Sequence, residues 1–420
     1  MSEAVRTSTR RLALLLGGLA MFGPFSIDTI FPAFPAIGAQ LGADKLAMQQ
    51  TISVYLVAYA LTSVLHGPLS DAIGRRRVIL GGLAVFALAS AGCALAQDLP
   101  TLLAFRALQG LSSGVGLIVG RAVIRDVLHG PDAQRLMSQV SMIFGIAPAI
   151  APIVGGWILG WSRWPMIFWF LVGFAVVLIA ATWTMLPETH PPSARLKFVP
   201  RHLVRDYVAI FANPRFQRLA AASAFNFAGL FLYIASAPAF VLELLRLDGR
   251  ALDETQFGWF FVPTIGGMVL GAFVSGRAAG RLSGDRLVQL GFAAGAVAMA
   301  ANLAYAFASP VLEVPWAVLP MALHAFGIAL VFPVITLAIL DMYPRQRGSA
   351  SSLQAFTSLV LNAIVAGVLS PWLTDDARWL AVAAALMTAV GYAFWRWESA
   401  RSNARPGCPG AVELPGGEGG

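Results

Sequence analysis

Long apolar blocks alternate with short polar breaks along the whole chain, as at residues 12–37, 137–160 and 164–186. A helix needs about 20 apolar residues to cross the hydrocarbon core of a bilayer, and blocks of this length are too long for strands of a soluble core. The pattern predicts twelve helical spans. The first six fall at 12–36, 47–66, 78–96, 100–120, 137–159 and 164–186. The second six fall at 217–241, 256–275, 287–307, 315–340, 349–372 and 379–396. Between the sets lies 188–216, a polar, basic, proline-bearing segment expected to be a cytoplasmic loop. The expected fold is therefore an all-α membrane protein of twelve transmembrane helices in two six-helix bundles, 12–187 and 217–396. Residues 1–11 read as an N-tail. Residues 397–420, rich in Gly and Pro, read as a disordered tail.

Composition agrees. Hydrophobic residues make up 58% of the chain and charged residues 12%, with a mean hydropathy of +0.72. Soluble domains carry roughly 25% charged residues, so the polar surface of a soluble fold is missing. A net charge of +8 in a soluble protein suggests nucleic acid. Here the basic residues fall in alternate loops, the pattern that orients membrane proteins, and no nucleic-acid partner is expected. With the amino terminus inside, 23 of the 29 Arg and Lys lie on the inner side. Five lie outside (Lys45, Arg163, Arg246, Arg250 and Arg378), and Arg106 lies within a span. Both termini are thus expected in the cytoplasm.

Cys93 and Cys408 offer no disulfide or metal framework, and no cofactor or metal is expected. The first block follows Arg10 and Arg11 as a signal sequence would. Its length, Asp28 and the prolines Pro24, Pro32 and Pro35 mark it as a retained span.

A degenerate repeat relates the two halves. After the second span stands Gly67-Pro-Leu-Ser-Asp71-Ala-Ile-Gly74-Arg75-Arg76-Arg77. After the eighth stands Gly271-Ala-Phe-Val-Ser275-Gly276-Arg277-Ala-Ala-Gly280-Arg281. Two six-span halves around a midplane site is an architecture of many secondary transporters. In the first copy, glycines permit a tight turn, and Asp71 can pair with the arginines or face a helix N-terminus. Such a turn alone is also what a basic inner loop requires. Its register, however, matches every fixed position of the loop G-x-x-x-D-x-x-G-R-[RK]-x, and the chain here resembles the major facilitator superfamily. The resemblance implies a latch of Gly67, Asp71, Gly74, Arg75 and Arg76, with Asp71 in an ionic contact that holds the halves together on the inner side.

Two charges fall well within spans. Asp28 lies about 24 Å along the first, and Arg106 enters the fourth from the opposite face to a depth of about 10 Å, at 1.5 Å per residue. Their depths match. A charge there costs roughly 2.5–3.5 kcal/mol on insertion scales, so each must face protein or water. Burial disfavours an ionised carboxylate and a nearby guanidinium favours it. That tension suits a proton carrier, although a static salt bridge would also satisfy the pair. His324 in the tenth span is a weaker proton candidate, equally readable as a packing residue.

The fifth span carries Gly145-Ile-Ala-Pro148-Ala-Ile-Ala151-Pro152-Ile-Val-Gly155-Gly156. Small residues allow close helix approach, and the prolines bend the helix and free carbonyls. Ordinary tight packing needs no more than this. The run also resembles the antiporter motif of drug exporters, which ends G-P-x-x-G-G; Ala151 stands for its first Gly. By that resemblance Pro148, Pro152, Gly155 and Gly156 seal the cavity against proton leak. With Ser26-Ile-Asp28-Thr-Ile-Phe-Pro32-Ala-Phe-Pro35, Arg121-Ala-Val-Ile-Arg125-Asp126 and Tyr343-Pro-Arg-Gln-Arg-Gly348-Ser-Ala350-Ser, the chain resembles the Bcr/CflA-type drug-resistance transporters from about residue 12 to residue 395.

The resemblance implies a monomer in the bacterial inner membrane that exports small hydrophobic, cationic or neutral drugs against protons by alternating access. Asp28 and Arg106 would couple the proton. Tyr55, Tyr59, Gln109, Asn226, Tyr233, His324 and Asn362 are candidates to line the drug cavity, since aromatic and amide groups suit partly apolar ligands. A symporter or facilitator for a small nutrient would share the architecture, and the fifth-span run argues against it. A membrane enzyme would need a nucleophile motif, metal cluster or phosphate loop, and a receptor a sizeable soluble segment. The sequence offers neither.

Overall fold

A computed structural model of the chain describes residues 3–128, 130–195, 200–278, 281–343 and 347–403. Among them, twelve helical spans are long and apolar enough to cross a membrane. Spans 1 to 6 are Arg11–Leu41, Lys45–Ile73, Arg75–Ala94, Leu99–Ile124, Ile143–Trp161 and Pro165–Met185. Spans 7 to 12 are Pro214–Ala235, Gly258–Ala278, Gly284–Ala308, Leu319–Met342, Ser349–Leu373 and Ala377–Arg401.

Local chemistry sets the span ends. Asp44, Asp98 and Asn213 each accept a bond from a first-turn N–H, those of Ala47, Thr101 and Arg215 at 2.7, 2.8 and 2.9 Å, which satisfies an otherwise orphaned donor. Prolines open spans 6 and 7, where a missing N–H costs nothing. Gly74, at φ +105°, turns the chain between spans 2 and 3 through a conformation that a Cβ would strain.

Spans 1–6 pack as one bundle, through the pairs 2 with 4, 3 with 6 and 1 with 5. Spans 7–12 pack as the other, through 7 with 12, 9 with 10 and 8 with 10. The bundles meet along spans 2 and 11 and along spans 5 and 8. Each bundle is filled by side chains such as Phe22 and Phe86, ring centroids 4.9 Å apart, in the first, and Phe292 against Trp395 in the second. Lipid supplies no hydrophobic drive between helices, so this close packing carries the association.

Exposed tryptophans ring both ends of the spans: Trp183 and Trp397 at the end carrying the Gly67 loop (the basic end), and Trp161, Trp316, Trp372 and Trp379 at the far end. Such belts mark the two membrane–water interfaces. At the far end a small sheet of order β2-β1-β3 caps the second bundle. It is built from β1 (Leu245–Leu247), β2 (Arg250–Ala251) and β3 (Leu312–Glu313), with β1 antiparallel to β2 and parallel to β3.

Three expectations need correction. The segment 188–216 is not all loop. It holds a short turn at Pro192–Ala194 and an α-helix at Pro200–Phe211, here called the linker helix. Its helical period was hidden among prolines and basic residues. Residues 3–10 of the expected N-tail are helical and continuous with span 1, which starts at Arg11. The last helix runs to Asn403, past the expected limit at 396, helped by the good helix formers Glu398, Ala400 and Arg401. Cys408 and the rest of the tail lie outside the described residues.

Candidate functional site: a buried carboxylate at a break in span 1

The first helix runs from Glu3 to Asp28 and stops there. Three residues later the chain makes a tight turn at Phe31–Ala33, then resumes as a helix at Phe34–Leu41. Pro32 and Pro35, which lack N–H groups, account for the interruption. Asp28 thus sits at a break in a spanning helix, 4% exposed. Interrupted helices of this kind are tolerated in membranes where protein covers them, and they mark ion and substrate sites.

Span 5 covers this break. Gly155 packs so closely that a Cβ there would overlap the carbonyl oxygen of Thr29, the residue after Asp28. Gly156, the next residue, makes an equally close approach to the carbonyl of Glu254, in the connection between spans 7 and 8 of the other bundle. Gly145, by contrast, faces open space: a methyl group there would meet nothing within 4 Å. The two terminal glycines of the fifth-span run therefore join the break in span 1 to the bundle interface.

Arg106 is fully buried and is held by neutral groups. Its Nη1 donates to the Ser26 carbonyl at 2.9 Å, to Ser26 Oγ at 3.2 Å and to Gln109 Oε1 at 2.7 Å. Its Nε donates to the Thr51 carbonyl at 3.2 Å. The guanidinium carbon lies 4.5 Å from the centroid of the Tyr55 ring, a cation–π contact. Nη2 has no hydrogen-bond partner. The direct salt bridge that the sequence allowed is absent: Arg106 and Asp28 interact electrostatically, but no ion pair joins them. The break in span 1 leaves the Ser26 carbonyl free, and this oxygen, with Gln109 and Thr51, takes up Nη1 and Nε of the guanidinium.

The shell extends further. Gln109 Nε2 donates to Ser90 Oγ at 2.8 Å, and the Tyr55 hydroxyl is shared between the Gly23 carbonyl and Ser113 Oγ.

The remaining cavity candidates do not gather at one place. Tyr55 and Gln109 belong to the Arg106 shell, and Tyr59 packs against Gly114 of span 4. His324 is fully buried inside the second bundle. Its Nε2 lies 3.2 Å from the Asn226 carbonyl and 3.5 Å from Thr388 Oγ1, and Gly229 and Gly295 press against the ring. Tyr233 accepts a bond from Asn302 Nδ2 at 2.8 Å. Asn362 is buried with an unpartnered Oδ1, next to Ala363, which is bonded across the bundle interface.

Among the described residues, the loop expected as a latch makes ionic contacts within the first bundle. Gly74 folds the chain so that Arg75 Nη1 lies 2.6 Å from Asp71 Oδ1 and Arg75 Nε lies 3.0 Å from Asp126 Oδ2. Glu188 accepts from the Arg75 N–H at 2.9 Å, and Thr189 Oγ1 donates to Asp126 at 3.1 Å. Arg76 bonds the Trp183 carbonyl and stacks on its ring. Gly67 itself lies within the helix of span 2, and it is the turn at Gly74 that is tied to the ends of spans 4 and 6. The side chains of Arg125 and Arg347, and all of 344–346, lie outside the described residues.

Among the described residues, side-chain bonds between the bundles gather at the far end. Lys45 Nζ lies 2.6 Å from Glu243 and 3.4 Å from Asp375. Gln49, Gln50 and Ser53 of span 2 donate to the carbonyls of Ala235, Gly367 and Ala363 at 3.1, 3.0 and 3.1 Å. The Phe31 and Phe261 rings stack 6.5 Å apart. Sequence reading passed over these residues. The polar pair Gln49–Gln50 inside a span was a readable signal, but backbone acceptors leave none.

Twelve spans in two bundles, with buried charge at a broken helix, define a multi-pass membrane transporter. A sequence profile described as Major Facilitator Superfamily matches residues 14–366, and the chain belongs to that family. It is 32% identical over 368 residues to an uncharacterized MFS-type transporter, YdgK, of Bacillus subtilis (strain 168), covering 86% of this chain and 89% of that one. A bicyclomycin resistance protein homolog of Haemophilus influenzae is 25% identical, covering 88% and 91%. The multidrug resistance protein MdtM of Escherichia coli (strain K12) is 26% identical, covering 88% and 86%. Among solved structures, a bacterial homolog of the human lysosomal transporter Spinster, inward-facing and unoccupied, superposes with a TM-score of 0.71 at 17% identity, covering 98% of this chain and 100% of that one. The resemblance to drug-resistance transporters read from the motifs is borne out.

Proposed function

We propose that the protein exports small, partly apolar drug-like molecules, amphenicol- or bicyclomycin-like in character, from a bacterial cell in exchange for protons. It acts in the inner membrane with the basic end and both termini in the cytoplasm, as the distribution of Arg and Lys supports. The names of the relatives support drugs as the substrate class. One observation carries the proton: Asp28, the carboxylate buried at the break in span 1, beside an arginine that neutral groups already hold.

That arrangement suits exchange better than a closed ion pair does. Arg106 keeps its position whether or not Asp28 is ionised, because its bonds go elsewhere. Asp28 is then free to take a proton in one conformation and lose it in another. The cycle is alternating access between the bundles. The cluster at the far end keeps the outer side shut while drug enters from the cytoplasm with Asp28 ionised. Breaking that cluster admits a proton from outside, neutralises Asp28 and releases the drug.

The deciding experiment is proteoliposome transport with an imposed pH gradient, comparing wild type with Asp28→Asn alongside a drug-susceptibility panel. Gradient-driven transport that survives in the variant removes Asp28 from the mechanism.

A further inference from the structure

The linker helix, Pro200–Phe211, has two unlike sides. One faces the protein. Ile210 is buried, and the Tyr207 hydroxyl donates to the Val64 carbonyl of span 2 at 2.9 Å. Ser349 and Ser352, at the start of span 11, stand beside the same hydroxyl. The helix is thus seated on spans 2 and 11, which belong to different bundles.

The other side carries Val204, Val208 and Phe211, which are 58%, 61% and 47% exposed. Their i, i+4, i+7 spacing makes one apolar stripe. Arg205, exposed, borders it, and Arg201 stands one turn earlier in the same register.

The height of this stripe is fixed by its neighbours. The helix is strung between Met185, the end of span 6, and Pro214, the start of span 7, both at the basic end. Two interfacial aromatics mark the same level. Trp183 lies under the Arg76 guanidinium at 4.9 Å, and Trp397 lies between Arg218 and Arg401, each at 5.4 Å. An apolar stripe edged with arginine at a membrane surface has the chemistry of an interfacial helix, which sinks its apolar face to the headgroup–acyl boundary and places its cations on anionic headgroups.

We propose that the linker helix docks on the anionic phospholipid surface of its own membrane, with Val204, Val208 and Phe211 at the acyl boundary and Arg205 on a lipid phosphate. The lipid leaflet is then a structural partner of the junction at which Tyr207 touches both bundles. The proposal does not depend on the transported substrate or on proton coupling.

The test places an environment-sensitive fluorophore on the full chain through Val208→Cys, in a Cys408→Ser background that leaves only the buried Cys93. The protein is reconstituted in phosphatidylcholine vesicles with or without phosphatidylglycerol. Docking gives blue-shifted emission, quenched by spin-labelled acyl chains, in the phosphatidylglycerol vesicles. High salt reverses it by screening, a readout that needs no further variant. Arg205→Gln lowers the ratio of docked to free helix roughly fivefold. Three results overturn the proposal: water-like emission in both vesicles, an equal shift in phosphatidylcholine alone that ignores salt, or a shift that disappears when the protein is diluted in lipid, which marks a second copy as the occupant.

Discussion

Arg106 Nη1 sits 2.7 Å from Oε1 of Gln109, one turn further along span 4, so a neutral amide braces the buried cation. Gln109 is in turn fixed by Ser90 of span 3. Gln109→Leu is therefore expected to lower stability by about 1–3 kcal/mol, the usual result of leaving a buried polar group unpaired, and to reduce transport. Arg106→Lys keeps the charge but loses the planar fork that reaches several acceptors at once, so it should fall in the same direction. Thermal unfolding in detergent and proteoliposome uptake check both.

Asp28→Asn preserves the size of the side chain and removes its ionisation. Ligand binding, read by intrinsic tryptophan quenching, should persist. Uptake driven by a pH gradient should drop to the level of empty liposomes. Loss of binding together with transport would mean that Asp28 contacts the substrate rather than the proton alone.

Span 5 offers an internally controlled comparison. Gly155→Ala forces a methyl into the Thr29 carbonyl and Gly156→Ala forces one into the Glu254 carbonyl, whereas Gly145→Ala meets open space. Overpacking costs about 1–3 kcal/mol. The first two variants should unfold at lower temperature and transport poorly, and the third should behave as wild type. Equal melting temperatures for all three would refute the packing described for this helix.

At the far end, Lys45, Glu243 and Asp375 are all substantially exposed, and exposed ion pairs contribute only about 0–1 kcal/mol. Lys45→Ala should barely alter stability. A disulfide between Lys45→Cys and Glu243→Cys should stop transport by pinning the bundles together, and reductant should restore it. Undiminished transport by the oxidised double variant would show that the far end need not open.

Charge counting gives one more outcome. With Asp28 as the single carrier, one proton exchanges for one monovalent cation with no net charge moved, whereas a neutral substrate leaves the proton's charge unbalanced. Cationic drug transport should follow the pH gradient alone. Neutral drug transport should also respond to a valinomycin-imposed potential.

The membrane-spanning architecture was legible because span length is a property of the bilayer, written into the apolar blocks. Gly74 was legible because the turn needs a positive φ, and Gly155 and Gly156 because their register is tied to close backbone approach. The shell of Arg106 was less so. Gln109 stood out as a polar residue in a span, but the Ser26 and Thr51 carbonyls are main-chain atoms, present at every position, and only the break after Asp28 makes the first available. His324 shows the converse. A lone polar residue in a span invited a place in the cavity, and its ring lies among the helices of the second bundle because Gly229 and Gly295 leave room for it. The linker helix was lost among prolines and arginines whose composition resembles a loop.

Neighbouring residues on a helix point about 100° apart, so Gly155 and Gly156 give one turn of span 5 two seats, one for its own bundle and one for the opposite bundle. The first seat holds the carbonyl of Thr29, a single residue from Asp28, and the second holds that of Glu254. The partners of both seats are carbonyl oxygens, atoms that no side-chain replacement can delete.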